Sequence, residues 1–363
     1  MKKVGIMSMQ RIHNYGSFMQ AYGLMKLIQK LNYNTEFVDY NFEKELVAKN
    51  KRSIIKRVFS HINIIEYIKM KKTTNCFHNR FRTEFIPYLC GNSYNYLPND
   101  IASLVIGSDE VFNCLQAFPV GYSRELFGKN YEEIPVISYA ACFGQTNFDR
   151  LQQYGISNEV SSLLNNFKSI SVRDNNSYET VFKLIGKKSN INLDPVLIYD
   201  YDEEIIDNVS LKDYILIYAY SGRLSRNEEK IIKKFSKREK KKIVSLGMYQ
   251  RIADYNIVVH PFELFSYFKH ADFVITDTFH GSIFSIKNHT KFCTIIRNNT
   301  NGNSNKLVDL LKRLKLEDRI ITDLNNLNNY YLNEIDYSLT DEIIMREKNR
   351  TIDYLKKNLK ESD

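Results

Sequence analysis

The sequence predicts an α/β fold built from two Rossmann-like domains that face each other across a cleft. Short runs rich in β-branched residues alternate along the chain with segments whose apolar residues recur at helical spacing. Strands separated by helices of about 10–15 residues form right-handed βαβ units and therefore parallel sheets. The chain has 363 residues, which is long enough for two domains that each bury their own core.

The first half of the chain carries five runs that are typical of buried strands. A helix is predicted from Ser17 to Leu31, where apolar residues share one face, and another at about 157–167. Residues 43–86 are basic and rich in aromatic residues, and their pattern predicts a helical insertion in the N-terminal domain. The predicted strands are 4–9, 35–40, 103–109, 135–141 and 169–174.

The stretch LDPVLIYDYDEE, residues 193–204, carries a proline and then an acidic run, which indicates a domain boundary. A second set of strand-like runs follows it. The last stretch, SLTDEIIMREKNRTIDYLKKNL, opens with Ser, Thr and acidic residues and closes with lysines, as a capped helix does. The predicted strands of this half are 214–220, 242–248, 272–277 and 292–296. The predicted domains are 1–203 and 204–337, with a C-terminal helix at 338–363 for which packing back on the N-terminal domain is one option.

The charge of the chain restricts its partners. There are 51 basic and 42 acidic residues, a net charge of +9, and much of the excess lies in the tracts KNKRSIIKR and KKFSKREKKK. Each tract is either a solvated helix face or a surface attracted to an anionic membrane or glycolipid. Nucleic acid is not expected as a partner, because no nucleic-acid-binding motif accompanies the charge.

The five cysteines are typical of reduced thiols in a cytoplasmic protein. Their number is odd, and no C-x-x-C pattern occurs. No cluster of metal ligands is visible in the sequence, so no metal is expected. The apolar segment at the N-terminus is too short for a signal peptide, and no later run could span a bilayer. We therefore expect a cytoplasmic protein, either soluble or peripheral at the inner face of the cell membrane.

Polar motifs lie at the carboxyl ends of the predicted strands, where α/β sheets bind ligands. The first motif, RIHNYGSFMQAYGL, follows the first strand. Asn14 and Gly16 suit a tight turn, and Ser17 can cap the next helix, whose exposed N–H groups would favour an anion or a sugar phosphate. The motif is either a capped turn alone or an acceptor pocket lined by His13, Asn14 and Tyr15.

The second motif is VIGSDEVFN, residues 105–113. Gly107 permits a sharp turn, and Ser108 or Asp109 can cap a helix or accept hydrogen bonds. Asp109 and Glu110 could hold sugar hydroxyls or act as a base, although adjacent side chains point apart and make a poor acid–base pair. A capped turn without a further role is the alternative.

The third motif is SISVRDNNSYE, residues 169–179. Arg173 ends an apolar strand, where a permanent cation needs an anionic partner. Asp174 is either that partner or the cap of the next helix. If Asp174 is the cap, Arg173 is left for a ligand carboxylate or phosphate, which it would bind bidentately.

The fourth motif, DTFHGS, joins a strand to a helix. Asp277 ends the strand, the next two residues turn the corner, and His280, Gly281 and Ser282 begin the helix. Gly281 lets another group approach the backbone closely, and the helix start attracts anions. A phosphate bound there would favour the protonated imidazole, so that His280 could act as a general acid. A structural role for His280 is the alternative.

Taken in order, six motifs resemble those of polysaccharide pyruvyltransferases: HNYGSFMQAYGL, IGSDEVFN, ISYAACFG, ISVRD, LDPVLI and ADFVITDTFHGSIFSI. The resemblance runs from residue 1 to about 320. It implies a two-domain architecture of the glycosyltransferase B type. It also implies an enzyme that moves the pyruvyl group of phosphoenolpyruvate onto a sugar as a cyclic ketal and releases phosphate, with no cofactor besides this donor substrate.

The resemblance also implies roles for individual residues. Arg173 resembles the family's arginine that binds phosphoenolpyruvate, and His280 resembles its essential histidine, positioned as an acid. Some branches carry an arginine where this chain has Thr278, so a different cation must contact the phosphate. The candidates for that cation are Arg223, Arg297 and Lys306.

The other implied site residues fall into two groups. The donor pocket, on the C-terminal domain, would be shaped by Thr278, Phe279, Gly281 and Ser282. The acceptor side, on the N-terminal domain, would comprise His13, Asn14, Tyr15, Gly16, Ser17, Asp109, Glu110 and Asn113.

The expected function is transfer of pyruvate to two hydroxyls of a hexose, of the galactose type, in a precursor of a capsule or exopolysaccharide. The acceptor would be a lipid-linked oligosaccharide or another glycan, and the basic tracts would keep the enzyme near the membrane. A nucleotide-sugar-dependent glycosyltransferase of the same architecture is the main alternative. A glycan-binding protein without catalytic activity is the other.

Overall fold

The computed structural model describes residues 3–47, 64–96, 100–116, 121–297 and 303–359. The strands within these residues are β1 (Lys3–Met7), β2 (Asn34–Phe37), β3 (Ile101–Asp109), β4 (Val136–Ala141), β5 (Ser171–Val172), β6 (Asn190–Ile191), β7 (Tyr214–Tyr218), β8 (Lys242–Leu246), β9 (Tyr255–Ile257), β10 (Phe273–Thr276), β11 (Phe292–Ile295) and β12 (Ile320–Ile321). They form two six-stranded sheets, in the orders β2-β1-β3-β4-β5-β6 and β12-β11-β10-β7-β8-β9. The strand pairs in both sheets are parallel, which confirms the predicted α/β class.

Helices connect these strands. They are α1 (Tyr15–Gln29), α2 (Ile64–Arg80), α3 (Phe148–Gln153), α4 (Ser157–Asn165), α5 (Asn175–Ile185), α6 (Pro195–Ile198), α7 (Arg226–Arg238), α8 (Leu264–Lys269), α9 (Phe279–Lys287), α10 (Asn303–Arg313), α11 (Leu327–Leu332) and α12 (Ser338–Leu359). No helix in the described part of the chain is both long and apolar enough to cross a membrane.

The central strands of the second sheet show why this sequence forms a parallel sheet. Every residue of β7 (YILIY), β10 (FVIT) and β11 (FCTI) is buried. Strands that are apolar on both faces must be covered by helices on both sides, and βαβ connections provide those helices. α7 begins with a capping box, in which Ser225 and Glu228 each bind a backbone N–H at the helix start.

The described residues divide into two compact units. The first unit contains the first sheet, with residues up to 47, the described residues of 86–200 and residues 342–359. The second unit contains the second sheet, with residues 64–85 and the described residues of 201–341. Each unit has its own apolar core. The division falls between Asp200 and Tyr201, inside the predicted boundary stretch.

The described part of the predicted insertion belongs to the second unit, and not to the N-terminal domain as predicted. The sequence placed residues 43–86 in the N-terminal domain, whereas residues 64–85 belong to the second unit. Their contacts explain the grouping, because Arg80 Nη1 donates to Val258 O at 2.6 Å and the ring of Phe85 lies 5.5 Å from that of His260. The tract KNKRSIIKR, residues 49–57, lies outside the described residues.

Residues 342–359 of α12 pack on β4. Tyr354 Oη donates to Ser138 O at 2.8 Å, and Tyr139 Oη lies 3.1 Å from Thr351 Oγ1. These buried hydroxyl contacts attach the helix to the centre of the first sheet, even though it follows the second sheet in sequence.

Candidate active site

Three neighbouring strands of the second sheet end at the same edge. β11, β10 and β7 lie side by side and parallel, so their carboxyl ends meet where such sheets bind ligands. Arg223 follows β7, Asp277 and His280 follow β10, and Arg297 follows β11. The sheet topology therefore brings residues from distant parts of the sequence to one edge.

Two threonine hydroxyls fix the corner between β10 and α9. Thr276 Oγ1 donates to Tyr218 O at 2.6 Å, and Thr278 Oγ1, at the N-cap of α9, accepts from Gly281 N at 2.9 Å. A Cβ on Gly281 would lie 2.1 Å from Thr276 Oγ1 and 2.7 Å from Thr278 Oγ1. The close approach predicted at Gly281 therefore involves hydroxyls of the protein itself.

Asp277 orients two arginines from a buried position. Its side chain is fully buried, and its Oδ2 lies 3.4 Å from Arg297 Nε and 4.0 Å from Arg223 Nη1. Burial raises the pKa of Asp277, and the two arginines offset only part of that increase. Within the described residues Oδ1 has no hydrogen-bond partner.

The two arginines keep part of their surface exposed. The exposed fractions of the side chains are 29% for Arg223 and 25% for Arg297. The guanidinium of Arg223 lies 4.3 Å from the centre of the Tyr220 ring, and Arg297 Nη1 pairs with Glu228 Oε1 at 2.5 Å. Both groups are thus held in place at this edge while they stay accessible to a ligand.

His280 is the second residue of α9, because the helix begins at Phe279, one residue earlier than predicted, and it is half-buried. Its ring lies perpendicular to that of Phe279 at 5.5 Å, and 6.1 Å from that of Phe284. Lys306 is buried, with its Nζ 5.4 Å from the centre of the Phe279 ring. The imidazole therefore lies beside two aromatic rings at the first turn of the helix.

The groups around the start of α9 carry a net positive charge. They comprise three cations and two carboxylates, which gives +1 without His280: Arg223, Arg297, Lys306, Asp277 and Glu228. The first backbone N–H groups of α9 add to the positive potential. We call these residues together with His280 the α9 cluster. Its charge and its helix start favour binding of an anion.

The other residues predicted for the donor pocket have partners inside the protein. The hydroxyl of Thr278 caps α9, and Ser282 Oγ lies 2.8 Å from Thr294 Oγ1. Phe279 and Ser282 are both buried. A contact of these side chains with a ligand stays a prediction.

In the first unit, three predicted site residues form a chain of polar contacts. Ser17 Oγ donates to Asp109 Oδ2 at 2.9 Å, and Arg173 Nη2 lies 3.4 Å from Asp109 Oδ1. Arg173 Nη1 donates to Asp194 Oδ2 at 2.7 Å. Asp194 was not predicted as a site residue. The side chain of Asp109 remains 13% exposed, and each of its carboxylate oxygens has a partner within the protein.

Asp174 is the N-cap of α5, which was one of its two predicted roles. Its Oδ1 accepts from Ser177 N at 2.8 Å as the cap of α5. Arg173 is nevertheless not left for a ligand, because it pairs with Asp194 and Asp109 and its side chain is only 2% exposed. Burial opposes the charge of this guanidinium, but neighbouring acidic groups outweigh burial and raise the pKa of Arg173 well above its usual value. A direct contact of Arg173 with phosphoenolpyruvate stays a prediction.

The turn after β1 is capped by a different residue from the one predicted. Asn14 is the N-cap of α1 and its Oδ1 accepts from Gly16 N at 2.7 Å, whereas Ser17 binds Asp109. Asn14 is the cap, and not Ser17, because Asn14 directly precedes the first helical residue, Tyr15. Tyr15 and Gly16 are buried and His13 is half-buried.

Gly107 lies within β3, near its carboxyl end, and not in the sharp turn that was predicted there. Its φ is +133°, and a Cβ there would lie 2.1 Å from Tyr139 O, so this position requires glycine. Beyond β3, Glu110 Oε2 accepts from Asn113 Nδ2 at 2.7 Å, and Asn113 Oδ1 accepts from Thr146 Oγ1 at 2.8 Å. Asp109 and Glu110 therefore have separate partners, as expected for adjacent residues. The described residues contain no group of three or more His, Cys, Asp or Glu placed to hold a metal ion.

Several solved structures are similar to this chain. Staphylococcus aureus MnaA in complex with UDP has a TM-score of 0.48 and 11% identity, over 100% of this chain and 99% of that one. Methanocaldococcus jannaschii UDP-GlcNAc 2-epimerase has a TM-score of 0.48 and 11% identity, over 95% and 99%. A Thermobaculum terrenum O-GlcNAc transferase mutant has a TM-score of 0.42 and 8% identity, over 98% of this chain and 64% of that one.

A family model matches most of the chain. The model for polysaccharide pyruvyl transferase matches residues 14–299. The comparison with curated protein sequences found no match. The matched range contains Ser17, Asp109 and Arg173 of the first unit, and most of the α9 cluster in the second.

Proposed function

The chain belongs to the polysaccharide pyruvyl transferase family, and we propose that its donor is phosphoenolpyruvate and its product a cyclic ketal on a hexose. The acceptor in this proposal is a galactose-type sugar of a lipid-linked precursor of a surface polysaccharide. We place the reaction in the cytoplasm, next to the membrane that carries the precursor.

The α9 cluster is the observation that carries the proposal. Phosphoenolpyruvate bears a carboxylate and a phosphate on a frame of three carbons, so its site must supply several positive groups close together. Arg223 and Arg297 are held by Asp277 at the start of α9, with Lys306 nearby. Two partly exposed guanidinium groups beside the N-terminus of α9 match a phosphate and a carboxylate.

His280 supplies the proton in the proposed reaction. Protonation of the methylene carbon of phosphoenolpyruvate makes a methyl group and leaves an oxocarbenium-like carbon, which one sugar hydroxyl attacks. The carbon–oxygen bond to phosphate then breaks, and a second hydroxyl closes the ketal. One hydroxyl proton restores the acid and the other leaves with phosphate. The arginines stabilise the negative charge that develops on the departing phosphate.

Asp109 is the proposed acceptor of the hydroxyl proton that is then passed on to the departing phosphate. Ser17 and Arg173 bind one oxygen each of its carboxylate, so its orientation is fixed. In this proposal Arg173 also positions Asp109. The remaining acceptor residues, among them His13, Glu110 and Asn113, would bind sugar hydroxyls.

We expect Arg297→Ala and Arg223→Ala to raise KM for phosphoenolpyruvate by about 10- to 100-fold each, the value of one charge-assisted hydrogen bond. Phosphate release with a galactoside acceptor measures the effect. Arg238→Ala is the matched control, because Arg238 is an exposed arginine of the same unit that pairs with Glu239. Unchanged KM in both cluster variants, or an equal rise in the control, would contradict the assignment of the phosphate site.

Ligand-induced stabilisation separates this function from the alternative. Phosphoenolpyruvate should raise the melting temperature of the protein by binding its folded state, and a nucleoside diphosphate should not. The reverse result would favour a nucleotide-sugar-dependent glycosyltransferase. Stabilisation by neither ligand would favour a glycan-binding protein without catalytic activity.

A further inference from the structure

A cavity of about 620 Å³ opens in the first unit where the end of α1 meets α6 and α12. Its volume is in the range of sites for small molecules. Apolar side chains line part of it, including Leu27, Ile198 and Ile352, together with the ring of Tyr199. The cavity can therefore enclose a ligand of small-molecule size that has an apolar portion.

The cavity is separate from the strand-end residues of the same unit. Lys30 is the C-cap of α1, and β2 begins at Asn34. The connection from a helix to the next parallel strand lies at the amino ends of the strands, whereas Ser17 and Asp109 lie at the carboxyl ends. The cavity therefore occupies the opposite edge of the first sheet from these predicted acceptor residues.

Three lysines line this cavity: Lys30, Lys348 and Lys356. Lys348, Ile352 and Lys356 follow each other at intervals of four residues and so share one face of α12. The ammonium of Lys30 lies 4.8 Å from the centre of the Tyr199 ring. Within the described residues none of the three ammonium groups forms an ion pair with a carboxylate, and Asp200 is the one acidic residue of the lining.

We propose that this cavity binds a phosphate-bearing ligand. Ammonium groups are point charges that bind phosphate well. The three lysines and one aspartate of the lining leave an excess of positive charge, which a multiply charged anion would neutralise. The apolar lining would accommodate the part of the ligand next to the phosphate. A lipid headgroup and a soluble phosphate ester share this chemistry. The proposal goes beyond the pyruvyl transfer reaction and does not rest on it.

A neighbouring lysine provides a matched control. Lysines in the last turn of a helix also interact favourably with its dipole, which could by itself explain a lysine at the end of α12. Lys357 is exposed in that same last turn but does not line the cavity. Lys356→Glu and Lys357→Glu therefore make the same charge change at adjacent positions, and only the first alters the cavity.

The first experiment measures binding of inorganic pyrophosphate to the full chain by titration calorimetry. We expect Lys356→Glu and Lys348→Glu each to weaken binding by about tenfold or more, the loss of one contact to a charged group, while Lys357→Glu binds like the wild type. Lys356→Gln, which adds no negative charge, should weaken binding in the same direction. Circular dichroism checks that each variant is folded.

The second experiment measures flotation of the protein with vesicles of phosphatidylglycerol, and with vesicles of phosphatidylcholine as the neutral reference. Loss of phosphatidylglycerol binding in Lys356→Glu but not in Lys357→Glu would assign the cavity to a lipid headgroup. Loss of pyrophosphate binding alone would assign it to a soluble phosphate ester. The proposal is overturned if the wild type binds neither probe, or if Lys356→Glu and Lys357→Glu behave alike with both.

An activity assay distinguishes a failure of this proposal from a failure of the proposed function. Because the cavity lies away from the predicted acceptor residues of its own sheet, Lys356→Glu should release phosphate from phosphoenolpyruvate with a soluble galactoside at the rate of the wild type. Failure of pyruvyl transfer in the wild type would leave the result for the cavity unaffected.

Discussion

Replacing His280 by glutamine is expected to lower the rate of ketal formation by about 10²- to 10⁴-fold, the usual contribution of a general acid. Glutamine keeps a polar side chain of similar reach at the start of α9 but cannot deliver a proton. Because Arg223 and Arg297 would still bind the donor, KM for phosphoenolpyruvate should change little. Product formation under saturating donor, followed by mass spectrometry, measures the loss.

His289→Gln is the control for this prediction. His289 lies in the same unit, is 54% exposed and pairs with Asp341 through its Nε2. It lies just after the end of α9 rather than at its start, so its replacement should leave the rate unchanged. A His280→Gln variant as active as the His289→Gln variant would contradict the role of His280 as the acid.

Replacing Arg173 by methionine is expected to destabilise the first unit by roughly 3–5 kcal/mol, as found when one partner of a buried ion pair is removed. Asp194 is fully buried and Asp109 nearly so. Without the guanidinium, the buried carboxylate of Asp194 loses its charged partner in an environment that disfavours charge. Urea denaturation followed by circular dichroism measures the free energy of unfolding.

Two further variants check this explanation. Arg173→Met combined with Asp194→Asn removes both charges and should recover part of the lost stability. Arg346→Met removes an exposed arginine of the same unit that forms no ion pair within the described residues, so it should change stability by no more than about 0.5 kcal/mol. Equal stability of Arg173→Met and the wild type would mean that the Arg173–Asp194 pair does not stabilise the fold.

Strands with continuous apolar runs were the easiest to predict from the sequence. YILIY and FVIT are buried on both faces, so their composition alone identifies them. β6, β9 and β12 have two or three residues each and lie at or next to a sheet edge, and segments this short carry no periodic signal. That residues 64–85 belong to the second unit could not be predicted from the sequence either, because contacts such as that of Arg80 with Val258 join residues far apart in the chain.

The candidate site was partly predictable for the same reason. The position of His280 follows from local sequence, because an apolar run, a capping threonine and a glycine stand in order. The partner of Arg173 does not, since Asp194 lies 21 residues away in sequence, in a stretch that looked like a domain boundary. The pairing of Arg297 with Glu228 spans 69 residues, and only the order of strands in the sheet brings them together.

The most direct test of proton delivery by His280 is mass spectrometry of a galactoside after reaction with phosphoenolpyruvate in deuterated water. We predict a pyruvate ketal whose methyl group carries a single deuterium, one phosphate released for each ketal formed, and loss of both products in His280→Ala. Phosphate release without a sugar product, or the labelled ketal formed by His280→Ala at the rate of the wild type, would contradict it.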